Sequence, residues 1–513
     1  MSAEALDRDT VIGIVGAGIM GRGIAQVAAE AGMRVLLADA EPARVAEAVA
    51  ACAGLIRRKA EKGQITAAAA EAAIGRIAAS DAGPQAGYGA FAPCDLVVEA
   101  VVERMDIKHQ VLAGVEAAVR DDCIIATNTS SLQVTGFAAA ARLPGRIAGF
   151  HFFNPVPLMK VVEVIGGVLT ADDVLDRLVA IARRMGHHPV RASDTPGFVV
   201  NHAGRGYLTE ALRIVGEGIA SFADVDRVMT EGAGFRLGPF ELLDLTGLDV
   251  SQPVMESIYH QYFEEPRYRP SVIGATRHLG GLLGRKTGRG FYAYADGKAQ
   301  KPPEAPVPAC DLSALSVWIS DADPAAAAAL RALVEGAGAR LEDSARPSAG
   351  ALAVLTPWGE DTGTAALAAG LDPAQVVAVD PSTLGRRRTL MASPAIDPVL
   401  RQAAHALLAA DGAAVTSIHD SPGFIAQRIR AAIVNVGADM AQQRIAAPAD
   451  IDRAVELGLG YPRGPLKLGD TIGPARVLAI LEALNDFYGD PRYRPSPWLK
   501  RRARLGLGLH APD

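Results

Sequence analysis

Hydrophobic positions in the first two hundred residues fall into short apolar runs that alternate with amphipathic stretches. Thr10–Val15 (T-V-I-G-I-V), Met33–Asp39 (M-R-V-L-L-A-D), Asp95–Val101 (D-L-V-V-E-A-V) and Cys123–Thr127 (C-I-I-A-T) are short and rich in β-branched residues, so they read as buried strands. Arg22–Gly32 and Pro42–Lys62 between them fit helices. Strands that alternate with helices predict a parallel α/β domain. Arg146–Ile165 then reads as an apolar strand, a Pro-bearing turn and a second apolar strand, followed by a helix over Asp172–Met185 and a strand over His187–Ala192. At Asp194 the pattern changes: D-T-P-G-F-V-V-N-H opens a helical region with further helix starts at Phe222–Met229 and Gly238–Asp249, closing near Lys286–Tyr294.

Lys298–Pro308 (K-A-Q-K-P-P-E-A-P-V-P) is Pro-rich and reads as a semi-rigid linker. A small α/β pattern follows: Val317–Ser320, an alanine-rich helix, Ala351–Thr356 and Val376–Pro381. The helical region then returns. D-T-P-G-F at Asp194 recurs as D-S-P-G-F at Asp420, A-D-V-D-R at Ala223 as A-D-I-D-R at Ala449, and Gly238-Pro239 as Gly464-Pro465. Asp244 recurs as Asp470, and P-R-Y-R-P-S at Pro266 recurs at Pro491. A spacing held near 226 residues over five matches marks an internal duplication. The position that matches Asn201 is Gln427, and the second copy has no glycine-rich turn and no strand–turn–strand with His and Glu before it, so one active site is expected, in the first half.

Between the first strand and first helix stands G-A-G-I-M-G, Gly16 to Gly21, with Ile19 and Met20 inside it, and the next strand ends in Asp39. In such a turn Gly16 permits the bend, Gly18 lets a pyrophosphate approach the backbone, and Gly21 lets helix and strand pack closely. The helix N-terminus then offers free N–H groups to phosphate, and an acid at the next strand end suits the ribose hydroxyls of NAD; Ala40 and Glu41 follow it with no arginine for a 2′-phosphate. The strand before and helix after the motif are the context it requires. The fold expected is an α/β Rossmann-type NAD domain (1–192), an all-α domain (193–295), a linker (296–310), a small degenerate α/β domain (311–416) and a second all-α copy (417–513).

A chain of 513 residues exceeds one hydrophobic core. Its net charge of −6 argues against a nucleic-acid partner held by bulk electrostatics. No run approaches the roughly 20 apolar residues that span a bilayer, and the polar N-terminus lacks signal-peptide character, so a cytoplasmic protein with no membrane partner is expected. Cys52, Cys94, Cys123 and Cys310 lie far apart and read as buried hydrophobes; no metal site is signalled.

Ligands of open α/β sheets bind outside the carboxyl ends of the strands. Gly16–Gly21, Asp39, Glu103, Asn128–Ser131 and His151 all fall there. His151 and Glu163 sit on strands joined by a short turn, within possible reach of each other. A carboxylate that fixes an imidazole tautomer makes a proton acceptor for neutral pH; a satisfied core histidine is the alternative. One of Ser130 and Ser131 could be only a helix N-cap. His187 and His188 point to opposite faces of a strand and read as structural. Arg57, Arg58, Lys59 and Lys62 form a basic cluster, read either as a solvated helix end or as a grip on a phosphorylated substrate.

G-A-G-I-M-G, N-T-S-S, H-F-F-N-P-V-P-L-M-K-V-V-E-V, D-T-P-G-F-V-V-N and G-P-F-E-L-L-D, in this order over Thr10 to Tyr294, resemble the 3-hydroxyacyl-CoA dehydrogenase family. The duplicated tail and its ending W-L-K-R-R-A-R-L-G-L-G-L-H are similar to the longer bacterial branch found with phenylacetate breakdown. The resemblance implies oxidation of a 3-hydroxyacyl-CoA, either 3-hydroxyadipyl-CoA or 3-hydroxybutyryl-CoA; a non-catalytic acyl-CoA or dinucleotide sensor and a dehydrogenase of free hydroxy acids are the competing readings. It implies His151 as general base, Glu163 as its partner, and Ser130 and Asn201 as hydrogen-bond donors to the reacting oxygens. It implies NAD held by Gly16, Gly18, Ile19, Met20, Gly21, Asp39, Glu103, Lys108, Asn128, Ser130 and Asn154, and CoA met near Lys59 and Lys62. Single-copy members commonly dimerise through the helical domain, so this chain is expected to be a monomer with an internal pseudo-dimer, or a homodimer.

Overall fold

The computed structural model describes residues 10–512, which fall into two compact units. The first joins the described residues up to His202 with 443–459; the second joins Ala203–Gln442 with the described residues from Gly460 on.

In the first unit eight strands form one sheet: β1 (Val11–Val15), β2 (Arg34–Ala38), β3 (Ile77–Ala79), β4 (Leu96–Glu99), β5 (Ile124–Thr127), β6 (Ile147–Phe152), β7 (Val161–Gly166) and β8 (His188–Ser193). Their order is β3-β2-β1-β4-β5-β6-β7-β8, and β6 and β7 are the one antiparallel pair of neighbours. The near-continuous apolar runs follow from burial on both faces. Ile12, Ile14, Leu96 and Val98 pack toward helices Ile19–Glu30 and Pro42–Glu61; Val11, Val15, Val97 and Ile125 pack on the other face with helix Met105–Ala118. Each such side chain taken fully out of water stabilises the fold by roughly 1.5–3 kcal/mol. The outer strand β8 is continued by backbone from the second helical copy, where Ser193 N–H donates to the Ile445 carbonyl at 2.8 Å.

The second unit carries most of both helical copies. Helix Arg205–Gly216 of the first packs on helix Ala426–Gln442 of the second. Gly206 faces Ala432, its own repeat mate (206 + 226 = 432), and a Cβ on Gly206 would lie 2.9 Å from the Ala432 carbonyl oxygen. The P-R-Y-R-P-S segments cross reciprocally: Arg267 donates to the Arg494 carbonyl at 2.9 Å and Arg492 to the Arg269 carbonyl at 3.3 Å. Between the copies lies the fully buried Arg428, bonded to Glu210, Glu217, Ser421, Tyr488 and Tyr493 at 2.7–3.0 Å. The two copies therefore meet as a twofold-like pair within one chain.

The Pro-rich stretch is more structured than its composition implies. Its first residues form β10 (Lys298–Gln300), which pairs in a hairpin with the preceding β9 (Ala293–Ala295), and Glu304 is fixed by Arg387 at 2.8 Å. After it comes a second sheet of β11 (Ser316–Ile319), β12 (Arg340–Glu342), β13 (Leu352–Leu355), β14 (Val376–Val379), β15 (Arg387–Ala392) and β16 (Ala414–His419), in the order β12-β11-β13-β14-β15-β16. It has three strands beyond those visible in the sequence, and β16 runs past residue 416. Here too one pair of neighbours is antiparallel, β14 with β15. His419 N–H at the end of β16 donates to the Ile219 carbonyl of the first helical copy. Ile219 and His419 are the repeat mates of Ile445 and Ser193, so the last strand of each sheet ends on backbone from an interhelical turn of the other half.

Candidate active site

Ladder pairing puts His151 directly opposite Glu163 on β6 and β7. His151 Nδ1 lies 2.6 Å from Glu163 Oε2, and both side chains are buried. An ionised carboxylate only accepts, so Nδ1 carries the proton and Nε2 is left for a substrate. The other carboxylate oxygen, Oε1, accepts the N–H groups of Val199 and Val200 at 2.9 and 2.8 Å. These residues open helix Val200–Ala203, so the carboxylate that orients His151 also fixes the helix start that carries Asn201. Asn201 stands in the first turn. Phe153 and Phe198 flank the imidazole, with ring centroids 4.5 and 5.8 Å away.

The glycine turn fits a dinucleotide by the space it leaves. Gly16 has φ +108°, and a Cβ there would lie 2.5 Å from the Ala100 carbonyl oxygen; a Cβ on Gly21 would lie 1.8 Å from that of Gly16. A Cβ on Gly18 would meet nothing within 4 Å, and Gly18, the N-cap of the helix that begins at Ile19, has no side chain to occupy that helix's first N–H groups. Ile19 is exposed at that helix start, with Met20 behind it. Asp39 accepts the Ala17 N–H at 2.8 Å and the Glu41 N–H at 3.1 Å, which ties the glycine turn to the end of β2.

Glu103 lies in the loop just before helix Met105–Ala118. Its Oε1 accepts from Thr129 Oγ1 and from the N–H groups of Ser130 and Ser131. Burial would push this carboxyl up; Lys108 and the hydrogen bonds from Thr129, Ser130 and Ser131 outweigh it and hold the pKa below the usual range. Lys108 is buried, with Nζ 2.9 Å from both oxygens of Glu99 and 3.3 Å from Glu103. It braces the loop instead of presenting its ammonium. Neither Ser130 nor Ser131 caps helix Val134–Ala138: Asp194 accepts the N–H groups of Val134 and Thr135. Ser130 at the strand end is thereby relieved of a capping role. Asn128 accepts the Phe152 N–H at 2.8 Å, tying β5 to β6 beside His151, and Asn154 is exposed in the turn that follows.

In the basic cluster, Lys59 is paired to Glu30 at 2.7 Å and Arg57 to Glu71 at 2.8 Å, whereas Lys62 is exposed. Lys160, at the end of the β6–β7 turn, is a further cation, with no basic neighbour in sequence to signal it. Burial and the nearby Lys59 charge lower its pKa, which puts it on the Lys59 surface. Glu99 and Asp194 also lie outside the site residues expected from the sequence; the signal for Glu99 is a lone acid inside an apolar strand. His187 is structural by geometry, its two ring nitrogens 3.1 and 3.0 Å from the Met185 and Val156 carbonyls. Cys52, Cys94 and Cys123 are buried as read, but Cys310 is exposed.

A dinucleotide cradle and a buried histidine–carboxylate pair on the same sheet are what hydride transfer coupled to proton transfer requires, and the chain is an NAD-dependent oxidoreductase by fold and by site. Residues 11–195 match the NAD binding domain of 3-hydroxyacyl-CoA dehydrogenase, and 197–294 and 423–511 match the C-terminal domain of that enzyme twice over. The chain belongs to the 3-hydroxyacyl-CoA dehydrogenase family. It is 35% identical over 502 residues to the 3-hydroxyadipyl-CoA dehydrogenase of Escherichia coli, covering 98% of each chain. It is 38% identical to the human mitochondrial hydroxyacyl-coenzyme A dehydrogenase over 286 residues, 55% of this chain and 90% of the human one. Among solved structures, a 3-hydroxybutyryl-CoA dehydrogenase from Escherichia coli superposes with TM-score 0.85 at 32% identity, over 98% of this chain and 99% of that one. Among the described residues no helix is long and apolar enough to cross a membrane.

Proposed function

We propose that this chain oxidises (S)-3-hydroxyadipyl-CoA to the 3-oxo thioester, with His151 as general base. The observation that carries the catalytic assignment is the His151–Glu163 pair, whose geometry leaves Nε2 as the acceptor. His151 takes the proton of the 3-hydroxyl, Glu163 stabilises the imidazolium that forms, and in the reverse direction the same imidazolium protonates the developing alkoxide. Ser130 and Asn201 hydrogen-bond the reacting oxygens. NAD, when bound, supplies the hydride acceptor; Gly16, Gly18, Gly21, Asp39 and the first turn of helix Ile19–Glu30 would hold it. We assign the CoA phosphates to the Lys59–Lys62 region, with exposed Lys62 and the nearby Lys160 as the contacting cations, since Lys59 is engaged by Glu30.

The dicarboxylic substrate is supported by the full-length likeness to the Escherichia coli 3-hydroxyadipyl-CoA dehydrogenase. The second reading, 3-hydroxybutyryl-CoA, is supported by the solved structure of that name with the same architecture. Comparing kcat/KM for the two thioesters decides between them; a butyryl value tenfold above the adipyl value would reverse the assignment. His151→Ala should lower kcat by about 100- to 10,000-fold with NAD affinity nearly unchanged. Wild-type turnover in that variant would remove His151 from the mechanism.

A further inference from the structure

The second sheet repeats the first in miniature. β11, the helix Pro324–Gly336 and β12 on its outer side reproduce the β1–helix–β2 unit. β13 to β16 then correspond to β5 to β8: β15 and β16 lie 226 residues after β7 and β8, end for end. Asp420 accepts the N–H groups of Thr362 and Gly363 at the start of the helix after β13, as its repeat mate Asp194 does for the helix after β5. This correspondence identifies the residues that stand where the catalytic and cofactor groups stand in the first half.

At the mate of Glu163 (163 + 226 = 389) stands Thr389, and the ladder puts Asp380 opposite it, where His151 would be. At the mate of Asn201 (201 + 226 = 427) stands Gln427. Its Nε2 donates to Asp380 Oδ1 at 3.0 Å and to the Pro357 carbonyl at 3.1 Å, and its Oε1 accepts the Gly359 N–H at 2.9 Å. Asp380 Oδ1 also accepts from the backbone and hydroxyl of Ser382. Asp380 and Gln427 are fully buried. In the place of the glycine turn runs Ser320–Pro324, and Asp323 puts its own carboxylate on the helix N-terminus, accepting the Ala326 N–H at 3.1 Å. Its other oxygen accepts Trp358 Nε1 at 3.0 Å and lies 3.5 Å from Arg476, whose guanidinium covers the Trp358 ring. A carboxylate already bonded to that N-terminus fills the place a phosphate would take and repels a second anion.

We propose that residues 316–419 are a second dinucleotide-type domain whose two functional positions have become internal locks. Asp323–Trp358–Arg476 closes the phosphate position, and Asp380–Gln427 closes the catalytic one. Gln427 and Arg476 belong to the second helical copy, so both locks bind that copy to its sheet. The second half is thus a non-catalytic partner carried within the chain, and the full chain binds one dinucleotide.

Titration calorimetry of the full-length chain with NADH tests this, with Asp39→Arg as the control that disables the first-half site. One site per chain, abolished by Asp39→Arg, is the expected result. Two sites, or a site that survives Asp39→Arg, overturns the proposal; no site in the wild type would instead sink the dehydrogenase assignment of the first half. Gln427→Ala, and the milder Asp380→Asn, should lower the urea midpoint while kcat/KM stays within twofold. A tenfold loss of kcat in Asp380→Asn with an unchanged midpoint would show that the pair serves catalysis and is no lock.

Discussion

Glu103 is the residue on which the loop behind the active site depends. It joins the Thr129–Ser131 turn to Lys108, and its carboxyl is held below the usual carboxylate range in the folded chain. A depressed folded pKa means that the stabilisation is present above the unfolded pKa, about 4.3 for Glu, and is lost as pH falls through the folded value. The melting-temperature gap between wild type and Glu103→Gln should therefore be widest near pH 6–7 and close below about pH 4; a gap independent of pH would contradict the ion pair. Thiols give a second residue-scale check. Burial pushes Cys52 up to about 11 and Cys94 and Cys123 up to about 12, and the thiolate is the reactive form. At pH 8 the native chain should react with a thiol-specific disulfide reagent at Cys310 alone, and at all four cysteines in denaturant.

At the scale of elements, the close approach of helices Arg205–Gly216 and Ala426–Gln442 rests on Gly206. Gly206→Ala would drive a methyl group into the facing backbone and should cost about 1–3 kcal/mol in denaturant unfolding; an unchanged midpoint would show that the helices can part freely. Seven strands of the first sheet and the glycine turn are legible in the chain because their signals are local: β-branched runs, three glycines, an acid at a strand end; β3, three residues long with two of them exposed, carries no such run. The pairing of His151 with Glu163 was legible for the same reason, as one short turn joins their strands. Strands β15 and β16 were not. Arg387 in β15 is buried because Glu231 and Glu304 arrive from distant segments, and no local pattern announces that. Likewise the helix at Val134 is capped by Asp194, 60 residues on, and the adjacent serines only looked like caps. Lys160 carries no local signal, because its nearness to Lys59 is a product of folding.

At the scale of the whole molecule, Arg428 joins the two helical copies through the carboxylates of Glu210 and Glu217. Glu210→Ala would strand part of that buried charge and should destabilise the second unit by about 3–5 kcal/mol. Circular-dichroism melting of the variant checks it; a shift within error would mean that the network adds nothing. The reciprocal contacts of Arg267 and Arg492 cover the paired faces of the two helical copies within one chain, and we expect sedimentation to give the mass of one chain.

The exchange of strand ends has a consequence in concentration. Where two separate chains must cover each other's sheet edges, that cover weakens as the solution is diluted. Here Ile445 and Ile219 are supplied by the same polypeptide as Ser193 and His419, so the encounter is intramolecular and its effective concentration is set by the chain itself. Specific activity should therefore hold constant down to nanomolar enzyme, where a weakly associated dimer would fall apart and lose it.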